Sequence, residues 1–327
     1  GNYDMVIRRY NANGTPDTSF GTDGIVVSNG AAGGNGNDYG DSIITDANGK
    51  ILVTGRSYNG SNWDMVIWRY NANGTPDTSF GTDGIVVSNG AAGGNGRDWG
   101  SFITTDANGK ILVSGQSYNS SGNADMVIWR YNANGTPDTT FNGSGIVVSN
   151  SAAGGNGHDY GVSMTVDANG KILVTGFSWN SSGNLDMVIW RYNANGTLDT
   201  SFSTDGIVVS NNAAGGNGND MDRSMTVDAN GKILVSGSSY NGYSKDMVIW
   251  RYQANGTPDS SFGTDGIVVS NNATGENVDD WNYLSISGSI ASDGGFSITT
   301  DANGKIVVTG ARYNGTDYDM AIWRYIP

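Results

Sequence analysis

A repeat of about 60 residues is the feature that most constrains how this chain of 327 residues can fold. The short segment that begins Asp-Met at residue 4 returns five times, with its first residue at Asp64, Asp125, Asp186, Asp246 and Asp319. A fixed period of tens of residues indicates an array of structural units that bury their apolar faces against one another. We therefore expect five units and a remainder.

Each repeat contains four short runs that are typical of β-strands. In the first complete repeat these runs cover 41–45, 51–54, 64–70 and 84–88, and Asn-Gly turns follow the first and the third. Asn-Gly favours the positive φ angles of a tight hairpin, so neighbouring strands should be antiparallel. The third run is apolar at successive positions, which indicates a strand that is covered on both faces.

Repeated four-stranded antiparallel sheets that pack radially form a β-propeller, whereas a solenoid would use shorter, parallel rungs. We therefore predict an all-β fold, a five-bladed β-propeller built from about five 60-residue repeats. The prediction treats residues 1–327 as one domain. Its repeats are expected at about 31–90, 91–151, 152–212, 213–272 and 273–327.

The chain contains six copies of the third strand, one more than a closed ring of five blades needs, and the first and last copies lie at its two ends. We predict that residues 319–325 fill the third position of the last blade and that 24–28 close it as the fourth strand, so that residues 1–30 complete the ring. Residues 4–10 would then lie outside as an edge strand. Their copy has Arg8 where the others have Trp, and an unpaired charge is rarely buried.

Two segments of the repeat resemble known families. Gly-Asn-Asp-Tyr-Gly at 36–40, followed by the turn at 46–50 and Ile-Leu-Val-Thr-Gly at 51–55, resembles the SBBP-type β-propeller repeat of bacterial proteins. Residues 13–20, before a Gly-Ile-Val-Val strand, resemble the delta-sixty repeat. The resemblance implies a secreted or surface-attached bacterial propeller without an assigned activity, with the first strand of each blade innermost.

The composition excludes several classes of site and partner. The chain has no Cys, one His, and a net charge of −14 from 31 acidic and 17 basic side chains. Disulfide scaffolds, cysteine zinc sites and thiol enzymes all require sulfur. An acidic protein repels nucleic-acid phosphates, and no run approaches the ~18 apolar residues of a membrane span. We expect no nucleic-acid partner, no membrane insertion and no required cofactor.

A glycine-rich loop precedes the first strand of four repeats. Its motif, Gly-Gly-Asn-Gly-x-Asp, matches the calcium nonapeptide of RTX β-rolls, and its last residues are Asp38, Asp98, Asp159 and Asp220. In a β-roll the calcium lies between successive nine-residue turns, whereas these copies are about 60 residues apart. We favour a crossover between blades and keep bound calcium as the alternative.

Positions that differ between otherwise near-identical repeats are candidates for ligand binding. Beside the four Asp residues of the glycine-rich loops, these candidates are Tyr39, Trp99, Tyr160, Arg97 and His158. A second variable position follows the second strand and holds Arg56, Gln116, Phe177, Ser238 and Ala311. Aromatic rings beside polar groups are typical of sugar-binding sites. The alternative is that the rings fill gaps between blades.

We predict an extracellular or cell-surface module of bacterial type that binds a glycan or protein surface, or serves a structural role, without catalysis. One alternative is a carbohydrate-binding lectin. A second is a self-assembling surface or filament subunit, because an exposed edge strand is a template for a neighbour. The assembly residues would be Asp4, Met5, Val6, Ile7, Arg8, Arg9 and Tyr10.

A glycosidase-like enzyme is the least favoured alternative. Glycoside cleavage requires two carboxylates in different environments, whereas the Asp residues of this chain occur as near-identical copies. The asymmetric acidic cluster is Glu276, Asp279 and Asp280 in the irregular fifth repeat.

Overall fold

The computed structural model describes residues 1–167, 169–243, 245–270, 297–313 and 318–325. Every regular element in these ranges is a β-strand. Among the described residues, no helix has the length and apolar character needed to cross a membrane. The chain divides into two compact units, which are described separately. The first holds 1–150, 158–166 and 194–196, and the second holds 151–157, 167–193 and 197–327.

The first unit contains one two-stranded and two four-stranded antiparallel sheets, in chain order. The two-stranded sheet consists of β1 (Met5–Arg8) and β2 (Ile25–Ser28). The four-stranded sheets consist of β3 (Asp38–Thr45), β4 (Ile51–Tyr58), β5 (Trp63–Tyr70) and β6 (Ile85–Ser88), and of β7 (Gly93–Thr105), β8 (Ile111–Asn119), β9 (Ala124–Tyr131) and β10 (Ile146–Ser149).

Strand β11 (Gly154–Val166) has residues in both units, and the second unit continues the same strand order. Its strands are β12 (Ile172–Asn180), β13 (Leu185–Tyr192), β14 (Ile207–Ser210), β15 (Asp220–Val227), β16 (Ile233–Tyr240), β17 (Lys245–Tyr252), β18 (Ile267–Ser270), β19 (Ser297–Thr300), β20 (Ile306–Tyr313) and β21 (Tyr318–Tyr325). Strands β15–β18 form a four-stranded sheet and β19–β21 a three-stranded one. The predicted all-β class and the four-stranded antiparallel repeat are confirmed.

The Asn-Gly turns take the conformation that their sequence predicts. Gly49 between β3 and β4 has φ of 74°, and Gly74 after β5 has φ of 86°. These angles lie in the left-handed region, where glycine has no steric penalty. The turn at Gly49 holds β3 and β4 in an antiparallel register, with Thr45 opposite Ile51.

The third strand of each complete repeat is buried on both faces, as predicted. Met65 and Ile67 on β5 pack into one core cluster with Trp129 of the following sheet. On the opposite face, Val66 and Trp68 pack with Met5 and other residues of the preceding strands. The central indoles are fully buried in Trp68, Trp129, Trp190 and Trp250.

In each complete repeat, a buried ion pair joins the third strand to the turn that follows it. In the second repeat, the Arg130 guanidinium lies 2.9 Å from the Asp138 carboxylate and also covers the Phe141 ring. Burial alone would raise the pKa of Asp138, but hydrogen bonds from Thr140 and Lys110, and the charge of Arg130, lower it to about 2. The same arrangement recurs at Asp77, Asp199 and Asp259.

The strand order at the chain ends differs from the prediction. Strand β2 pairs with β1, not with residues 319–325, and its register of Met5 opposite Ser28 matches Met65 opposite Ser88 in a complete sheet. Strand β1 therefore takes the third-strand position beside β2, and, as predicted, it is an edge strand among the described strands. The exposure predicted for Arg8 is confirmed.

Strands β1–β2 and β19–β21 form separate sheets. The number of blades, the single domain and the repeat boundaries therefore stay predictions.

Candidate functional site

The Asp residues that end the glycine-rich loops are buried and bonded to the loop itself. Asp98 is fully buried, and its two carboxylate oxygens accept hydrogen bonds from the backbone N–H groups of Gly90 at 2.9 Å and Ala91 at 3.4 Å. Asp38 and Asp220 accept the equivalent bonds from Gly30 and Asn212. These contacts are those of residues that shape a crossover loop.

Calcium binding by these loops stays a prediction. In the described ranges, no group of three or more His, Asp or Glu side chains is arranged to hold a metal ion. Asp159 is buried like its three equivalents.

A second buried carboxylate lies near the start of the third strand in each complete repeat, at Asp64, Asp125, Asp186 and Asp246. Burial and the negative charge of Asp159 together raise the pKa of Asp125 to about 6, against the opposing effect of the hydrogen bond from Asn119. The pKa of Asp186 is also raised to about 6, by burial and by Asp220. The sequence identifies these residues as strand starts, but only the fold brings the two carboxylates together.

An aromatic and charged cluster lies on the first unit, which we call the Arg56 cluster: Tyr39, Asp41, Arg56, Trp63 and Trp99. The guanidinium carbon of Arg56 lies 4.5 Å from the ring centroid of Tyr39, 4.7 Å from that of Trp99 and 5.7 Å from that of Trp63. The Arg56 side chain also donates to the Asp41 carboxylate at 2.8 Å. One cation is thus held by three rings and a carboxylate.

Four strands position the Arg56 cluster. Tyr39 and Asp41 lie on β3, and Arg56 lies directly opposite Tyr39 on β4. Trp63 begins β5, and its ring centroid is 5.4 Å from that of Tyr39. Trp99 comes from β7 of the following sheet. The cluster therefore exists only when two sheets pack together.

The Arg56 cluster remains open to solvent. The side chains of Arg56 and Asp41 are 24% and 31% exposed. Cation–π contacts at such sites contribute ~0.5–1 kcal/mol each, and a half-exposed ion pair contributes less than ~1 kcal/mol. The indole Nε1 of Trp99 is buried without a hydrogen-bond partner in the described structure. Guanidinium N–H donors, a carboxylate acceptor and aromatic faces thus meet at one surface.

His158 occupies a similar place in a later repeat but is engaged in packing. Its ring lies between Tyr118 and Tyr160, with centroid distances of 5.8 Å to each. Its Nδ1 accepts a hydrogen bond from the backbone N–H of Ala124 at 2.9 Å, which requires a neutral ring. Burial lowers the pKa of His158, although the charge of Asp159 opposes this.

The structure unites some of the predicted residues and separates others. Tyr39 and Trp99 meet through Arg56, whereas Arg97 is exposed and outside the cluster. The residues equivalent to Arg56 in the next three repeats are buried: Gln116, Phe177 and Ser238. Sequence reasoning missed Asp41 and Trp63. A signal existed for Trp63, because this position varies between repeats: the next three have Ala, Leu and Lys, and the copies at the two ends have Tyr.

Other predicted residues lie outside this site. Of the proposed assembly strand, Met5 and Ile7 are buried, whereas Val6 and Tyr10 are exposed. The acidic cluster of Glu276, Asp279 and Asp280 lies outside the described residues.

Remote likenesses to solved structures include sugar-related proteins and a phage fibre. A fucose lectin from Kordia zhangzhouensis, in complex with methyl-fucoside, is 13% identical with a TM-score of 0.29, covering 46% of this chain and 94% of its own. An endo-arabinase from Bacteroides thetaiotaomicron is 12% identical with a TM-score of 0.42, and the match covers 88% of this chain and 94% of the endo-arabinase. The tail fibre of Staphylococcus aureus phage P68 is 12% identical with a TM-score of 0.33, and the match covers 88% of this chain and 50% of the tail fibre. These likenesses are too remote to indicate a function.

No curated protein sequence matches this chain significantly. A family model described as a domain of unknown function (DUF5122) beta-propeller matches it five times, at residues 1–20, 47–80, 107–141, 168–202 and 229–262. Five segments of the chain are thus similar to β-propeller repeats, in agreement with its four-stranded antiparallel sheets.

Proposed function

We propose that this protein is an extracellular, non-catalytic module that binds glycans, and that the Arg56 cluster is its binding site. The observation that carries the proposal is the partly exposed pair of Arg56 and Asp41 among three aromatic rings. Sugar hydroxyls need both donors and acceptors, which the guanidinium and the carboxylate supply. The C–H faces of a sugar ring pack on aromatic side chains.

The charge of the protein favours a neutral sugar. The net charge of −14 repels polyanions at long range, and Asp41 already neutralises Arg56. Binding without cleavage is proposed because glycosidases place two carboxylates about the scissile bond. As described, the Arg56 cluster contains one carboxylate, and it is held in an ion pair.

A glycan array followed by calorimetry with the best neutral glycan tests this proposal. Arg56→Gln installs the residue found at position 116 and removes the cation, and it should weaken binding tenfold or more. Trp99→Ala should abolish retention on the glycan column while leaving the thermal midpoint nearly unchanged. The matched control is Trp179→Ala, which removes a 37% exposed ring from another repeat and should leave affinity unchanged.

Two outcomes would contradict the proposal. One is an array on which no glycan is retained above background. The other is a large loss of stability in Trp99→Ala with unchanged affinity in Arg56→Gln, which would show that the cluster only fills a gap between sheets.

A further inference from the structure

A lysine, an asparagine and an aspartate meet where the second and third strands of a sheet lie side by side. Lys50 precedes β4 and Asn71 follows β5, and Ile51 lies opposite Tyr70, so Lys50 and Asn71 come together across the sheet. The Lys50 Nζ donates to the Asn71 Oδ1 at 2.6 Å and lies 3.0 Å from the Asp77 Oδ2. An amine thus contacts a side-chain amide and has a carboxylate beside it.

The same three groups meet in the next two repeats, at Lys110, Asn132 and Asp138 and at Lys171, Asn193 and Asp199. In both repeats the Lys Nζ lies 2.6 Å from the Asn Oδ1, and it lies 3.1 Å or 3.0 Å from the carboxylate oxygen. The three lysine side chains are 30–31% exposed, whereas the three Asp side chains are 3–6% exposed. The groups therefore meet in a largely enclosed site that keeps one opening to solvent.

The Asn71 amide is held with its oxygen towards the lysine. Its Nδ2 donates to the Thr75 Oγ1 at 2.9 Å and to the Pro76 carbonyl at 3.3 Å, and the lysine donates to its Oδ1. These partners fix which end of the amide is oxygen and which is nitrogen. Because a C=O bond is ~1.2 Å long, the Asn71 Cγ is at most ~3.8 Å from the Lys50 Nζ, close to the separation of reacting atoms.

We propose that Lys50 and Asn71 become joined by an isopeptide bond, and that the equivalent pairs in the next two repeats react in the same way. The Asp77 carboxylate accepts a proton from the Lys50 ammonium, and the lone pair of Nζ then attacks the Asn71 Cγ. The Nζ–Cγ bond forms and the Cγ–Nδ2 bond breaks. Nζ keeps one of its three protons as the amide N–H, and the other two leave with Nδ2 as an ammonium ion. The reaction requires no oxidant or reductant.

The surroundings of the carboxylate determine the rate of this reaction. The Arg69 guanidinium lies 2.9 Å from the same Asp77 oxygen that contacts Lys50. Burial alone would raise the pKa of Asp77, but hydrogen bonds from Ser79 and Lys50 and the charge of Arg69 lower it. A carboxylate with a lowered pKa is a weak base, so loss of the ammonium proton limits the reaction. We therefore expect the bond to form slowly at neutral pH and faster as the pH rises.

The bond supplies a covalent link to a chain that has no Cys and hence no disulfide. It joins the start of β4 to the end of β5 and so closes the hairpin that these strands form. A closed loop lowers the entropy of the unfolded chain and thereby stabilises the folded state. This inference goes beyond glycan binding and does not depend on it.

The fourth complete repeat contains a natural control. Lys232 lies 2.7 Å from Asp259, but Gln253 stands where the three preceding repeats have Asn. The Gln side chain is one methylene longer, which moves the amide carbon away from the place that it has in Asn71. We therefore expect Lys232 to keep a free amine, and Gln253→Asn to create a further bond.

Mass spectrometry of the intact protein, before and after incubation at pH 9, tests the proposal. Each bond lowers the mass by that of one ammonia molecule, so the parent protein should lose three. Lys50→Arg keeps a cation beside Asp77, but a guanidinium remains protonated and does not attack an amide, so this variant should lose one ammonia fewer. Gln253→Asn should lose one more.

Tryptic peptides locate the bond at Lys50. Trypsin does not cleave after an acylated lysine, so residues 10–56 should stay uncut and be joined to residues 70–97. Ring closure at an Asn-Gly step also releases ammonia, but it joins no two peptides. The proposal is overturned if the parent protein keeps the mass of its sequence after incubation at pH 9. It is also overturned if Lys50→Arg loses as much ammonia as the parent protein, or if the two peptides separate.

Discussion

Asp222 is a buried carboxylate whose removal should stabilise the protein in a pH-dependent way. It lies on β15, where three other repeats have glycine at 40, 100 and 161. The residue is fully buried, and in the described structure neither carboxylate oxygen makes a well-formed hydrogen bond. Burial raises its pKa to about 7, although the Thr175 hydroxyl and the charge of Arg223 oppose this.

The free energy of unfolding follows from this pKa. A carboxyl whose pKa is higher in the folded state favours folding when it is protonated and disfavours folding when it is ionised. Its contribution is therefore complete below pH ~4 and is lost as the pH rises past about 7. The pKa of Asp222 rises from the ordinary value of 3.8 to about 7 in the folded state. Because one pKa unit corresponds to ~1.36 kcal/mol, ionisation of Asp222 lowers the free energy of unfolding by about 4 kcal/mol.

The perturbation is Asp222→Asn, which keeps the shape and removes the charge. Because other titrating groups are the same in both proteins, the difference in free energy of unfolding isolates residue 222. We expect this difference to grow by about 4 kcal/mol in favour of Asp222→Asn between pH 4 and pH 8. Urea denaturation followed by tryptophan fluorescence at the two pH values measures it.

A control removes the same charge without burial. Asp83 is exposed at a turn with φ of 52°, a conformation that Asn tolerates, so Asp83→Asn should show no such growth with pH. If Asp222→Asn and the parent protein differ in free energy of unfolding by the same amount at pH 4 and pH 8, burial does not raise the pKa of Asp222 and the prediction is wrong.

Two further predictions concern the other carboxylates. Asp138→Asn should destabilise the fold by about 2 kcal/mol at pH 7, because the lowered pKa of Asp138 stabilises the folded state above pH ~4. This stabilisation is lost as the pH falls to about 2, so the effect of the substitution should vanish there. Denaturant unfolding at both pH values measures the effect, and an equal loss of stability at pH 2 would contradict the prediction. The thermal midpoint should be unchanged in EDTA, because the Asp98 carboxylate already accepts hydrogen bonds from backbone N–H groups and needs no calcium as a partner. A drop of several degrees would instead show that calcium binds the native state.

The repeat period, the strands and their antiparallel order were determined by the sequence alone. The reason is that each of these features depends on residues close together in the chain. An Asn-Gly turn places Gly49 or Gly74 at positive φ and brings the next strand back beside the last. Apolar residues at successive positions, such as Met65 and Val66, likewise require cover on both faces wherever the strand lies.

The Arg56 cluster, the burial of Asp222 and the pairing at the chain ends were decided only by the tertiary structure. Arg56 and Trp99 lie on different sheets, and their meeting depends on how those sheets pack. Asp222 replaces a glycine without any local sign that its side chain is enclosed. The sequence pattern predicts β21 beside β2, whereas the structure pairs β2 with β1. The choice between such partners is made by long-range contacts, which a repeated sequence leaves undetermined because its copies are nearly the same.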